Sequence, residues 1–146
     1  MIANMQLQQD SLGALLVDIT RMMRRAFQQR MTGSDLTLAQ ARVLVYVARR
    51  EGLRQIELAE LLEVQPITLA RLIDQLVETG LVERRADPDD RRAYQIHLRP
   101  AATPHLVAIE QVMASIHSEA MRGLDRQQAA ALLGGLRVMR NNLASF

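Results

Sequence analysis

The sequence has no cysteine and no tryptophan, and its aromatic residues stop at two tyrosines and two phenylalanines. Without cysteine there is no disulfide, no thiol redox sensor and no Cys-ligated zinc. Lysine is absent too: the 18 basic residues are all arginine, set against 16 acidic ones, for a formal net charge of +2 and a pI of 9.9. Base composition of the gene explains an all-arginine complement more simply than selection for guanidinium chemistry. Either origin leaves groups suited to phosphate and guanine contacts. With charge so nearly balanced, any binding to nucleic acid depends on where the arginines stand, not on bulk attraction. No run approaches the roughly 18 uncharged apolar residues of a membrane span. The start, Met1 to Gln6, lacks the basic and apolar stretches of an export signal. A cytoplasmic location and no membrane partner are expected.

Catalysis is equally short of material. His97, His105 and His117 are the only histidines, and none stands at a metal-ligand spacing. Only His105 and His117 could share a helix, and there they would lie more than three turns apart. Each is expected to be a surface or half-buried side chain. Neither an enzyme nor a cofactor or metal is expected.

What the chain does have is apolar periodicity. At 146 residues and 49% hydrophobic, one compact unit would bury roughly 70% of its unfolded surface, enough for a core without covalent help. A single domain over 1–146 is expected, or one subunit of an oligomer. Leu12, Leu15, Leu16, Ile19, Met23 and Phe27 recur at helical spacing and predict a first helix over about Leu7 to Gln29. Thr37 with Gln40 makes a capping box for a second, which runs to about Arg50 and stops at Gly52.

A short amphipathic helix is predicted over Gln55 to Leu62, a tight turn at Glu63-Val64-Gln65, and a longer helix over Pro66 to Thr79. Pro66 suits the first helical position, where a missing N–H costs nothing. Leu69, Leu72, Ile73, Leu76 and Val77 form a stripe for packing, while Thr68, Arg71 and Gln75 fall on the opposite, polar side. After Gly80, Leu81 to Ala86 and Ala93 to Leu98 are short, and Tyr94, Ile96 and Leu98 alternate with Gln95 and His97 as in a half-buried strand. The loop between them, Asp87-Pro88-Asp89-Asp90-Arg91-Arg92, is too long for a tight hairpin and would project. Together these make a winged helix-turn-helix, mainly α with a small β-wing. Arginines on such a loop suit a narrow minor groove, with Asp90 bracing a guanidinium by a charge-assisted hydrogen bond.

These residues resemble the MarR/SlyA-type transcriptional regulators. The likeness rests on Thr37-Leu38 and Gln40, Glu57-Leu58-Ala59, Thr68-Leu69-x-Arg71-x-x-Asp74-x-Leu76, Gly80-Leu81-Val82-x-Arg84, and Asp87-Pro88-x-Asp90-Arg91-Arg92 before Leu98. It covers about residues 36–100 by motif and the whole chain by length and helix order. The resemblance implies a homodimeric, sequence-specific repressor on a pseudo-palindromic operator in double-stranded DNA, released by a small aromatic or phenolic effector. It makes Gln65, Thr68 and Arg71 major-groove or phosphate contacts, with Gln75 on the same face. It makes Arg92 the minor-groove residue, Asp90 its support and Arg91 a phosphate contact. Two positions depart from the family pattern. Arg54 stands where a serine or threonine usually caps the first helix of the motif, and Arg99-Pro100-Ala101-Ala102 replaces the usual exit from the wing. The next helix therefore starts between Pro100 and Pro104, with Thr103 as its candidate cap.

The chain ends read as helices in need of partners. Leu106, Ile109, Val112, Met113 and Ile116 make one stripe. Ala129, Leu132, Leu133, Leu136, Met139 and Leu143 make another, opened by an Asp125-x-x-Gln128 box. A helical dimerisation region is expected over 1–34 and 101–146, flanking a DNA-binding lobe over 36–100. Met22, Met23, Met31, Met113, Met121 and Met139 are read as gap-fillers in a helical core, though the resemblance places an effector pocket beside the dimer helices. The competing reading is a winged-helix protein-interaction module without specific DNA binding. Steep loss of DNA affinity with salt separates the two.

Overall fold

The computed structural model describes residues 10–145. Leu7 to Gln9, the expected start of the first helix, lie outside the described residues, as does Phe146. The elements run α1 Leu12–Arg30, α2 Leu38–Arg49, α3 Gln55–Leu62, α4 Pro66–Glu78, β1 Val82–Ala86, β2 Tyr94–Leu98, a 3-10 turn Pro100–Ala102, α5 Thr103–Ala120 and α6 Arg126–Leu143. The mainly α architecture with a small β-wing is therefore as the sequence predicts, with most bounds within a residue or two. Among the described residues no helix is long and apolar enough to cross a membrane.

The chain divides into two compact units, Met1–Val112 and Met113–Phe146. In the first, the helix starts follow from local chemistry. Ser11 accepts the Ala14 N–H at 3.2 Å to open α1. Thr37 and Gln40 form the expected reciprocal box, at 3.1 and 3.0 Å, to open α2. Glu63, at φ 54°, takes the left-handed turn between α3 and α4, and Pro66 occupies the first position of α4.

Leu44, Leu58, Leu69, Ile73, Leu76, Val82 and Ile96 are fully buried at the centre of one core formed by α2, α3, α4 and the hairpin. At roughly 1.5–3 kcal/mol for each fully buried aliphatic side chain, this cluster dominates the stability of the lobe. Ala102 and Leu106 join it from the 3-10 turn and the start of α5. Two sequence expectations fail at its margin. Val77 lies one residue round the helix from buried Leu76, on the flank of the stripe, and is 37% exposed. Tyr94, paired with the exposed Ala86 at the outer end of the hairpin, is also exposed, so the half-buried face of β2 is Ile96 and Leu98 alone.

The hairpin is antiparallel, with Val82 opposite Leu98 and Ala86 opposite Tyr94. Its other edge is covered by the segment before α3. Gly52, at φ +90°, donates to the Ile96 carbonyl at 3.0 Å, the Ile96 N–H donates to Leu53 at 2.9 Å, and Arg54 bridges to Gln95. This pairing satisfies the edge of β2 and fixes the entrance of α3 against the wing. The residues 100–104, expected to hold a helix start, make a 3-10 turn from Pro100 that runs directly into α5, with Thr103 as its first residue. In the second unit, Gly123 at φ +92° turns the chain, and Asp125 and Gln128 form the predicted box at 2.8 and 3.0 Å to open α6.

Candidate nucleic-acid interface

The polar residues of α4 emerge together because the leucines and isoleucine claim the opposite face. Gln65, Thr68, Arg71 and Gln75 are all exposed, while Leu69, Ile73 and Leu76 between them are buried. Gln65 caps the helix by backbone position alone, leaving its amide unused by the cap. Gln75 is tethered: its Oε1 accepts from Gln40 Nε2 at 2.9 Å, and Gln40 is itself held by the capping box at the start of α2. The sequence gives no sign of this link between residues 35 apart.

The wing turn is organised around Asp87, which is 95% buried by exposure of only 5%. Its Oδ1 accepts the N–H groups of Asp89 and Asp90 at 2.8 and 3.3 Å, the local turn that an aspartate side chain builds on the residues after it. Its Oδ2 accepts Arg54 Nε at 2.8 Å, and Arg54 Nη2 reaches Oδ1 at 3.3 Å, a two-pronged ion pair from the start of α3 to the wing. Gln95 donates to the same carboxylate at 3.5 Å. Hydrogen bonding from Arg54, then from the Asp89 N–H, holds the Asp87 carboxyl at about 2 against the opposing effect of burial. The same pairing raises Arg54.

Asp90, Arg91 and Arg92 stand exposed at the turn. Asp90 supports it differently from expectation. Its carboxylate accepts the backbone N–H of Arg92 at 3.0 Å, bracing the main chain and not the guanidinium. The aspartate that grips a guanidinium is Asp87. A second arginine ties the base of the wing: Arg84 donates from Nε to Gln55 at 2.9 Å and from Nη2 to the Ala70 carbonyl at 3.3 Å, and pairs with Asp74 at 2.6 Å. Arg54 and Arg84 thus anchor the wing to α3 and α4 at two points. Neither was assigned a site role from sequence. For Arg54 the signal was its departure from the usual cap residue, and α3 starts at Gln55 regardless because Glu57 accepts the Arg54 N–H at 3.1 Å.

His97 falls to a structural place beneath the wing, with Nε2 at 3.1 Å from Gln95 Oε1 and Nδ1 at 3.8 Å from Glu51. Among the described residues no three acidic, histidine or cysteine side chains group to hold a metal ion. Between the amino end of α4 and the wing lies an open cleft of about 250 Å³, lined by Arg54, Gln55, Ile56, Pro66, Arg92, Ala93 and Tyr94. Arg92 and the start of α4 therefore face one another across a gap, one from the turn and one from the helix.

Residues 36–94, which hold α2 to α4 and the wing turn, match the model of the MarR family. Solved structures extend the likeness beyond it. A MarR-family transcriptional regulator from Silicibacter pomeroyi is 26% identical, with 93% of this chain and 92% of that one covered at a TM-score of 0.81. A MarR transcriptional regulator from Methanosarcina mazei Go1 shares the fold at the same TM-score of 0.81 and 22% identity, over 92% and 96% of the two chains. A mutant MarR from E. coli, complexed with operator DNA, is 26% identical at a TM-score of 0.71, over 88% and 92%. The chain thus has the fold of solved MarR-family transcriptional regulators.

Proposed function

We propose that the chain is a sequence-specific DNA-binding regulator, a homodimeric repressor of a pseudo-palindromic operator that lets go when a small aromatic or phenolic ligand binds. One observation carries the reading. The polar residues of α4 and the wing-turn Arg91 and Arg92 are all exposed, and Arg92 lines one cleft with Pro66 at the start of α4, in a segment that matches the MarR family model within a fold like that of a protein solved on operator DNA. In this reading α4 enters a major groove. Gln65, Thr68 and Arg71 contact base edges or phosphates, and Gln75 presents its amide from the tethered position. Arg92 enters the adjacent minor groove, Arg91 meets phosphate, and Asp90 holds the turn.

Dimerisation is supported by the apolar side chains that the helices at the chain ends expose. Neither α1 nor α6 buries a residue, and α1 alone exposes Leu12, Leu15, Val17, Ile19 and Met22. A second copy would cover such faces and would set two α4 helices about one turn of DNA apart. For the effector, an open cavity of about 330 Å³ lies between the end of α1 and the start of α2, lined by Phe27, Met31, Leu36, Thr37, Leu38 and Ala41 among others. That is within the range that small-molecule pockets occupy.

Selection of bound duplexes from a random DNA pool, at low and at moderate salt, tests the proposal. An inverted repeat with half-sites about 10 base pairs apart is expected. Binding that vanishes at moderate salt, with no sequence recovered, would mean charge attraction alone.

A further inference from the structure

We infer that Arg54 is a positioning residue for the wing: through its two-pronged pair with buried Asp87 it sets where Arg92 stands relative to α4. The inference rests on the DNA-binding reading for its consequence, though not for its geometry.

The physical case starts at Asp87. A carboxylate this deeply buried needs its charge met, and it has four donors. Two are backbone N–H groups of its own turn, from Asp89 and Asp90, one is the Gln95 amide from the paired strand, and only Arg54 comes from the helical part of the motif. Among the described residues, Arg54 is thus the sole side chain through which this carboxylate is joined to the start of α3. The guanidinium supplies Nε and Nη2 together, at 2.8 and 3.3 Å, so it fixes both distance and direction, which a single point charge would not. From Asp87 the connection runs a short way to the tip. The Asp89 and Asp90 amides hang on the same carboxylate, Asp90 in turn holds the Arg92 N–H at 3.0 Å, and the Ala93 N–H closes the loop on the Asp90 carbonyl at 3.0 Å. Each residue of the turn therefore takes its position from the one before, back to a carboxylate fixed by Arg54.

Arg54 and Arg92 also line the same cleft of about 250 Å³, so a shift of the turn changes the width between wing and α4. A groove-binding protein must match that width to the strand passing between its two contacts. A serine or threonine, which the family resemblance would place at this position, is too short to span to Asp87.

Two measurements on the full chain test it. In the absence of DNA, amide hydrogen exchange is compared for the unaltered protein, Arg54→Ala and Arg54→Lys. The Asp89 and Asp90 amides should exchange on the order of tenfold faster in Arg54→Ala, with the amides of buried α4 residues unchanged and partial recovery in Arg54→Lys. Equal acceleration throughout the lobe would make Arg54 a residue of general stability and overturn the inference; no acceleration at the turn would overturn it as well. With the selected operator, Arg54→Ala and Arg92→Ala should each weaken binding about tenfold, and the double variant no more than Arg92→Ala alone. Losses that multiply would place Arg54 on the DNA independently and overturn the coupling. If the unaltered protein selects no operator, the DNA-binding reading falls, while the exchange measurement still decides the clamp.

Discussion

Two regions of this chain have equally regular apolar periodicity and opposite fates. In the lobe, the stripe of α4 buries Leu69, Ile73 and Leu76 completely. In α1 and α6 the stripes hold no fully buried residue, and Leu12 and Leu143 stand 58% and 68% exposed. The difference is one of partners and not of pattern. A period of 3.6 determines that a segment becomes an amphipathic helix, whereas burial needs a second surface, which the lobe provides for itself from α2, α3 and the hairpin. The lobe is self-sufficient in packing, and on the proposed dimer reading the end helices are the ones whose faces a second copy would cover.

The comparison breaks first in the core. Ile73→Ala should destabilise the lobe by about 2–5 kcal/mol in denaturant unfolding, because a fully buried side chain leaves both lost transfer energy and a cavity. Leu12→Ala in α1 should cost under ~0.5 kcal/mol in dilute solution. A Leu12→Ala cost that grows with protein concentration would mark that face as covered in a dimer. Equal costs at all concentrations would erase the distinction between the regions. Removing residues 125–146 is a blunter form of the same test. It should expose apolar stripes without partners and yield an aggregating chain, and a well-behaved folded monomer would contradict a dimer built on the end helices.

Within the lobe a finer contrast separates the base of the wing from its tip. Asp87 is buried and fully bonded, whereas Arg91 and Arg92 are exposed. Arg92→Ala should therefore weaken operator binding by about 1–3 kcal/mol and leave the unfolding transition in place. Unchanged affinity would remove the wing from the interface. The base should respond to pH instead. Its carboxyl is held at about 2 in the folded chain, below the ordinary 3.8, so its stabilising effect is complete above pH 3.8 and is lost as pH falls toward 2. Wing amide protection at Asp89 and Asp90 should persist at pH 5 and collapse between about pH 4 and 2. Collapse already at pH 5–6 would assign the protection to another group.

How much of this was legible beforehand depends on whether a contact is local in sequence. The caps at Thr37 and Asp125, the turn at Gly52, both helices of the motif and the hairpin strands all arise from residues within a few positions of each other, and the sequence predicts them within a residue or two. The exposure of Gln65, Thr68, Arg71 and Gln75 follows from the same periodicity. Contacts between distant residues left no such trace. Arg54, Asp74, Arg84 and Asp87 all stand out in the sequence as motif or departing positions, but nothing there pairs Arg54 with Asp87 or Arg84 with Asp74 until the fold brings them together. Asp90 was expected to grip a guanidinium because it adjoins two arginines, yet neighbours in a turn reach each other's main chain more easily than their long side chains.

The smallest expected effect falls on the tether between α2 and α4. Gln40→Ala removes the Gln40–Gln75 hydrogen bond and half of the capping box at Thr37, for a net loss of about 0.5–1.5 kcal/mol in unfolding free energy. Its value lies in what happens at Gln75. The tether occupies the Gln75 carbonyl with Gln40, so on the DNA-binding reading the amide N–H groups are the end it offers, which favours an acceptor on the DNA. Freed of Gln40, the side chain can present either end. The base preference opposite Gln75 in the selected operator should then broaden while the preferences opposite Thr68 and Arg71 stay as they were. Broadening at every position would point to a general loosening of α4, and no change at any would take Gln75 out of the base-reading set.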